Sequence, residues 1–290
     1  MRSRVPRRAL ASLVASSAAG VVLLAACSLT TSLDGLSSGA LTSLATPEAS
    51  AALDGSMGLD AAGGVEAGPP GSFCASIVPK PTFCDDFERT SVIGAWENRS
   101  LSGGGSVTLA PSTRTPTGHE LFTTIPVFPA GSTSVASLDR HFVSAQRVMF
   151  SYALRIEAAP GQGSQQVMLV AVTPPGASGD FFHTYLFVTS AGVRLVEETF
   201  PGGSGAGGSF VANALSVPIV FGTWQRIEMT LTLVAPARLV LTVDGKTAFD
   251  GAADPFYRPG GIAVGAGIHY TDTPSGPLAL HVDDLYLDLK

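Results

Sequence analysis

Beyond residue 72 the chain alternates apolar and polar residues with a period of two. In RVMFSYALRIE (147–157), Val148, Phe150, Tyr152, Leu154 and Ile156 fall on one side. In QRIEMTLTLV (225–234), Ile227, Met229, Leu231 and Leu233 do the same. Successive side chains of a strand point to opposite faces, so each segment predicts a strand with one buried side. Further strands are predicted over 165–172, 181–189, 192–199, 237–243, 262–268 and 279–289. Turn-forming runs separate them: PPGASGD, PGGSGAGG, DGK, RPGG and TPSGP. No stretch sustains a 3.6-residue period with caps, so little helix is expected. Many strands with Gly/Pro turns predict an all-β antiparallel sandwich or jelly roll over residues 72–290.

The first 71 residues follow another pattern. Arg2, Arg4, Arg7 and Arg8 precede an apolar stretch, Ala9 to Ala26, broken by Ser12, Ser16, Ser17 and Gly20. A basic start, a short apolar run and small residues predict a secretory signal over 1–26. The run is too weakly apolar for a permanent membrane span. Leu24-Ala25-Ala26-Cys27 resembles the lipobox of bacterial lipoproteins, a family in which the signal is cut before the cysteine and the thiol is lipidated. The alternative is an ordinary signal peptide that contains a cysteine. The resemblance implies a protein of the cell envelope anchored to the membrane through Cys27. Ser28 stands where an Asp often retains members of that family at the inner membrane, which points to the outer membrane. From Ser28 to Gly71 the chain has no aromatic residue, no Lys and no Arg. Such a segment buries too little apolar surface to offset the entropy of ordering, so 27–71 is expected to be a lipidated cysteine and flexible tether.

Charge and cysteines narrow the function. The formal charge of −6 includes the four arginines of the signal, so the chain from Cys27 onward carries −10. No dense basic patch remains, which argues against nucleic acid as a partner. The chain has three cysteines, Cys27, Cys74 and Cys84. With Cys27 lipidated, Cys74 and Cys84 are left to pair as a disulfide in an oxidising compartment. A metal site is the rival for that pair, but two cysteines without nearby His or Cys supply half a ligand set.

The order of motifs carries a second resemblance. FCDDFER (83–89) is followed by Trp96, then VMFSYALRI, GTWQRIEMTLTL, RLVLTVDGK, a glycine-rich GGIAVGAGI and a final LHVDDLYLDL. This succession resembles the concanavalin A-like lectin/glucanase superfamily in its laminin-G-like form. The resemblance covers most of 80–290 and implies two antiparallel sheets stacked as a jelly roll, with Trp224 as a packing residue. Asp244-Gly245 independently reads as a hairpin turn.

Period-two alternation in the last strand puts Asp283 on the side of Leu285, Leu287 and Leu289. A carboxylate entering a core needs a partner or a metal. In jelly-roll carbohydrate-binding modules the first and last strands are often neighbours, with a structural calcium between such acids. The resemblance therefore implies a structural Ca²⁺ held by Glu88 and Asp283 with Asp86 or Asp284 assisting. The alternative is that Asp283 bonds backbone N–H groups or an Arg.

Catalytic patterns are missing. Glucanases of the superfamily carry Glu-x-Asp-x-Glu on one strand, which aims the carboxylates into one cleft. Here Glu197 and Glu198 are adjacent and point to opposite faces. Lyases of the fold cluster an Arg, a Gln or His, and a Tyr; Gln165, Gln166, His183, Tyr185 and Arg194 are of those types, but their local motifs differ. No catalytic residue is assigned. Binding remains: in GDFFHTYLF, Phe181, His183, Tyr185 and Phe187 share the more polar face of one strand, opposite Phe182, Leu186 and Val188. His183 and Tyr185 are the leading ligand contacts, with Tyr257, His269 and Tyr270 as further candidates. The leading expectation is a non-catalytic, lectin-like lipoprotein that binds polysaccharide. The alternatives are a glycan hydrolase or polysaccharide lyase with an unrecognised site, and a protein-binding adhesion module.

Overall fold

The computed structural model describes residues 72–290 except 116–117, 128–132, 175–180, 201–207, 255–256 and 272–275. The expectations for the signal, Cys27 and the tether lie outside the described residues. A four-residue helix, α1 (Phe73–Ser76), precedes the strands β1 (Phe83–Asp85), β2 (Asn98–Ser102), β3 (Ser106–Pro111), β4 (His119–Ile125), β5 (Val135–Ala145), β6 (Arg147–Ile156), β7 (Ser164–Thr173) and β8 (Phe181–Thr189). They continue with β9 (Gly192–Phe200), β10 (Ser209–Asn213), β11 (Gln225–Thr232), β12 (Arg238–Val243), β13 (Lys246–Ala252), β14 (Gly260–Thr271) and β15 (Leu278–Leu289). Each strand predicted by alternation is present, with ends moved by a few residues.

Two antiparallel sheets form the predicted sandwich. The first runs β13-β12-β11-β6-β15-β4-β3, with β1 also on β15; the second runs β10-β9-β8-β7-β14-β5-β2. Val148, Phe150, Tyr152, Leu154, Ile156, Ile227, Met229 and Leu231 are buried between the sheets as their period demands. From the second sheet, Val170, Val172, Phe182, Leu186, Val188, Val264 and Ile268 meet them. The β12–β13 hairpin turns at Asp244 and Gly245 with φ of 50° and 74°, the left-handed pair that a two-residue hairpin requires.

The last strand corrects one expectation. β15 pairs with β6 on one side and, on the other, with β4 over Leu278–Val282 and then β1 over Leu285–Leu287. Its register on β6 shifts between Asp283 and Tyr286, where Asp284 takes φ 50°. The extra residue of this bulge reverses the alternation. Leu278, Leu280 and Val282 point inward before it, and Leu285 and Leu287 after it. Asp283 therefore lies on the outer face of the first sheet and does not share the side of Leu285.

In the opening segment the carboxylate that enters the core is Asp85. It pairs with Leu285 in register and accepts from Phe87 N at 2.8 Å and Trp96 Nε1 at 2.6 Å. Arg89 completes its shell. Cys84 points the other way, and its disulfide to Cys74 has a Cα–Cα distance of 5.7 Å. That bond holds α1 on the outer face of the first sheet, where Phe73 meets Tyr286 at 6.1 Å and the Arg226 guanidinium lies over both rings. On a chain-entropy account so short a loop contributes about 2.5–3 kcal/mol.

Asp85→Ala leaves the Trp96 indole N–H, the Phe87 N–H and the Arg89 charge without their acceptor. Chemical denaturation is expected to show a loss of about 3–5 kcal/mol, the range for breaking a buried pair by removing one partner. A loss below about 0.5 kcal/mol, the scale of a neutral surface change, would remove Asp85 from this role.

Candidate functional site

The outer face of the second sheet gathers the expected ligand contacts. On β8, Phe181, His183, Tyr185 and Phe187 point outward while Phe182, Leu186 and Val188 join the core. Across β9, Glu198 lies opposite His183 and Phe200 opposite Phe181. Phe181 and Phe200 stack with ring centroids 4.5 Å apart, and the His183 ring packs on them at 4.9 and 5.5 Å. Tyr185 is fully buried. Its hydroxyl accepts from Gln166 Nε2 at 3.2 Å and donates to Glu198 Oε2 at 3.0 Å. Gln166, Tyr185 and Glu198 thus form a fixed polar chain across β7, β8 and β9.

Three register slips, one on β7 and two on β14, complete this face. β7 carries an extra residue at Met168, with φ 56°, opposite Tyr185. β14 slips against β7 between Gly265 and Ile268 and again between Ile268 and Tyr270. The second slip on β14 places His269 and Tyr270 on the outer side together. The His269 ring lies over Gly265, where its Cε1 would stand 1.9 Å from an added Cβ. Only a glycine admits the ring at that height. His269 Nδ1 stands 3.5 Å from Asp139 Oδ1, and Nε2 has no hydrogen-bond partner.

Both imidazoles are held neutral. Burial lowers the His183 pKa to about 4, and the neighbouring His269 adds to the effect. Burial also lowers the His269 pKa, against the pull of Asp139. Neutral rings offer one donor and one acceptor nitrogen each. The carboxylates Glu198 and Asp139 sit among the rings, whereas Arg194 lies opposite Phe187 toward one end. The three lysines are elsewhere: Lys80 bonds the carbonyls of Cys74 and Ala75, Lys246 begins β13, and Lys290 follows β15.

The other candidates fall differently. Tyr270 is 40% exposed and pairs with Gln166 on the same outer face. Tyr257 is 3% exposed and belongs to the core. Its hydroxyl bonds Thr184 and donates to the His183 carbonyl at 3.2 Å. With its polar end satisfied inside, the ring packs on Phe182 at 5.2 Å instead of meeting solvent. Glu197 turns inward, as its position beside Glu198 predicts. Burial raises its pKa although the Asp254 N–H and Asn213 Nδ2 bond it.

Of the four carboxylates expected to hold calcium, Asp283 and Asp284 lie against the Arg114 guanidinium, while Glu88 and Asp86 accept from backbone N–H groups. Arg114 Nη1 lies 3.2 Å from Asp283 and 2.7 Å from Asp284, and stacks on Trp224 with its guanidinium carbon 5.4 Å from the ring centre. Glu88 accepts from the His119 N–H at 3.1 Å, and Asp86 from the Glu88 N–H at 3.4 Å. Among the described residues no set of three His, Cys, Asp or Glu side chains is arranged to hold a metal. Burial, with Asp284 beside it, raises the Asp283 pKa to about 7. Trp224 donates to Thr113 Oγ1 at 2.9 Å, and His281 Nε2 meets Glu157 Oε1 at 2.7 Å. Side chains of this cluster largely satisfy one another.

Comparison with known proteins shows the fold. No protein-family model matches the chain, and no curated protein sequence matches it. An endo-β-1,4-glucuronan lyase from the fungus Trichoderma reesei superposes with a TM-score of 0.58 at 14% identity, covering 72% of this chain and 96% of that one. A cellulose-induced protein gives a TM-score of 0.49 at 16% identity, covering 71% and 96%. A GlcNAcα1-4Gal-releasing endo-β-galactosidase from Clostridium perfringens gives 0.49 at 12% identity, covering 71% and 61%.

The histidine shift sets a pH dependence of stability. Between about pH 4 and 6.5 the folded chain binds fewer protons at His183 than the unfolded chain. Stability from this group is complete above pH 6.5 and falls as the pH drops toward 4. The loss is on the order of 2–3 kcal/mol. Asp283, with its pKa raised from 3.8 to about 7, acts in the opposite sense, favouring the folded state at low pH. His183→Gln is therefore expected to lose less stability than the parent between pH 7 and 4, read by denaturant midpoints. An equal loss in both chains would contradict a neutral, buried His183.

Proposed function

We propose that the outer face of the second sheet binds a glycan of low charge, and that the chain acts there as a non-catalytic binding module. The observation that carries this is the joining on one face of the Phe181–Phe200 ring pair, two neutral imidazoles and the Gln166–Tyr185–Glu198 chain. Stacked rings pack against the C–H faces of sugars, and fixed donors and acceptors beside them bond hydroxyls. Glu198 and Asp139 at the centre accept from hydroxyls but repel carboxylates, and the cation Arg194 stands apart from them beside Phe187, so a neutral glycan fits the centre better than a polyuronate. The fold likeness to a glucuronan lyase supports a glycan as the class of ligand.

Membrane anchoring through Cys27 and an outer-membrane site belong to the same proposal. Ser72 enters the domain beside α1, on the outer face of the first sheet.

A second reading, β-elimination on a uronate polymer, is favoured by one observation. His183 is held neutral on the same face as Tyr185, and a neutral imidazole is the form that abstracts a proton. Against it, the Tyr185 hydroxyl is engaged on both sides and is buried.

Native gels cast with neutral and anionic polysaccharides test both. Neutral glycan is expected to slow migration while its stain stays intact, and His183→Ala to weaken that retardation at least ~5-fold, about 1 kcal/mol. Unchanged mobility in every gel would contradict glycan binding. Ultraviolet absorbance of an unsaturated product from a polyuronate would establish the lyase instead.

A further inference from the structure

On that reading, we infer that the ligand is a linear polysaccharide lying along β8, and that Phe187 and Phe210 form a second sugar platform at the far end of the site. Phe187 follows Phe181 by six residues on the same face of β8, which is about 20 Å of strand and the length of several pyranose rings. At the first end stand Phe181 and Phe200. At the other, Phe187 is met edge to face, with centroids 5.8 Å apart, by the ring of Phe210, whose backbone lies level with His183. His183 and Tyr185 occupy the stretch between them, with Tyr185 6.3 Å from the Phe187 ring.

Its contact with Phe187 leaves Phe210 largely exposed. It lies on β10, the edge strand of the second sheet, and is 53% exposed. A large exposed ring on a sheet edge invites association and is usually replaced by charge. Here it leans across β9 toward Phe187, opposite Glu198 in register. Rings, a hydrogen-bonding middle and rings again suit a chain whose successive sugars present C–H faces and hydroxyls. A monosaccharide would engage one end and leave the other wet.

Calorimetric titration of the protein with cello- and laminari-oligosaccharides, from disaccharide to hexasaccharide, tests the inference. Affinity is expected to climb with length. Phe210→Ala is expected to lower hexasaccharide affinity about tenfold, the worth of one lost aromatic contact, and to flatten the length dependence. A parallel melting curve shows whether the exposed substitution leaves the fold intact. Equal affinity for disaccharide and hexasaccharide, or a Phe210→Ala protein that binds like the parent, would overturn this inference alone. If neither the ladder nor any polysaccharide in the gels binds, the glycan reading and this inference both fall.

Discussion

The candidate face of the second sheet depends on two neighbouring strands that cannot stay in register. β7 carries its extra residue at Met168 and β14 slips at Gly265–Ile268 and Ile268–Tyr270. Regular pairing would alternate His269 and Tyr270 between core and surface. The slips put both outward, and the lack of a side chain at Gly265 lets the imidazole lie against the sheet. His269 then stands near enough to His183 to add to the lowering of its pKa, and burial keeps both rings neutral. Bulges of this kind re-aim side chains next to binding sites. Here they turn an aromatic strand face into one with hydrogen-bonding capacity at its centre.

The first sheet supplies the rigidity. β15 serves three partners, and the bulge at Asp284 keeps its leucines inward on both sides of the change from β4 to β1. Asp85, held by Trp96, Arg89 and the Phe87 N–H, pins the opening segment to that strand. The disulfide and Arg226 fasten α1 to the outer side. The two outer faces thus differ in chemistry. On the first, Arg114, Trp224, His281 and their carboxylates engage one another; on the second, aromatic rings flank two largely buried imidazoles.

Much of the fold is legible in the sequence because alternation records burial directly. The patterns over 147–157, 181–189 and 225–234 become β6, β8 and β11, with the buried side where the pattern places it. Short or polar strands such as β2 and β10 escape, since NRSLS and SFVAN bury no continuous side. Of the site, His183, Tyr185 and Tyr270 are found on one face, and Tyr257 is not. A tyrosine in a loop gives no sign that Thr184 and a carbonyl await its hydroxyl inside. Asp283 is misplaced for a related reason: period two holds only until a bulge, and nothing in VDDLY announces one. Glu198, Asp139 and Phe210 are found only through strand pairing, because their partners are distant in sequence.

Histidine-selective NMR during titration with a neutral oligosaccharide tests the central claim most directly. The chain has five histidines, and His119 and His281 lie on strands of the first sheet. The account predicts that the His183 and His269 imidazole signals move on binding, from the positions of neutral rings, while His119 and His281 stay still. Movement of His119 or His281 alone would place the ligand on the first sheet and contradict the account.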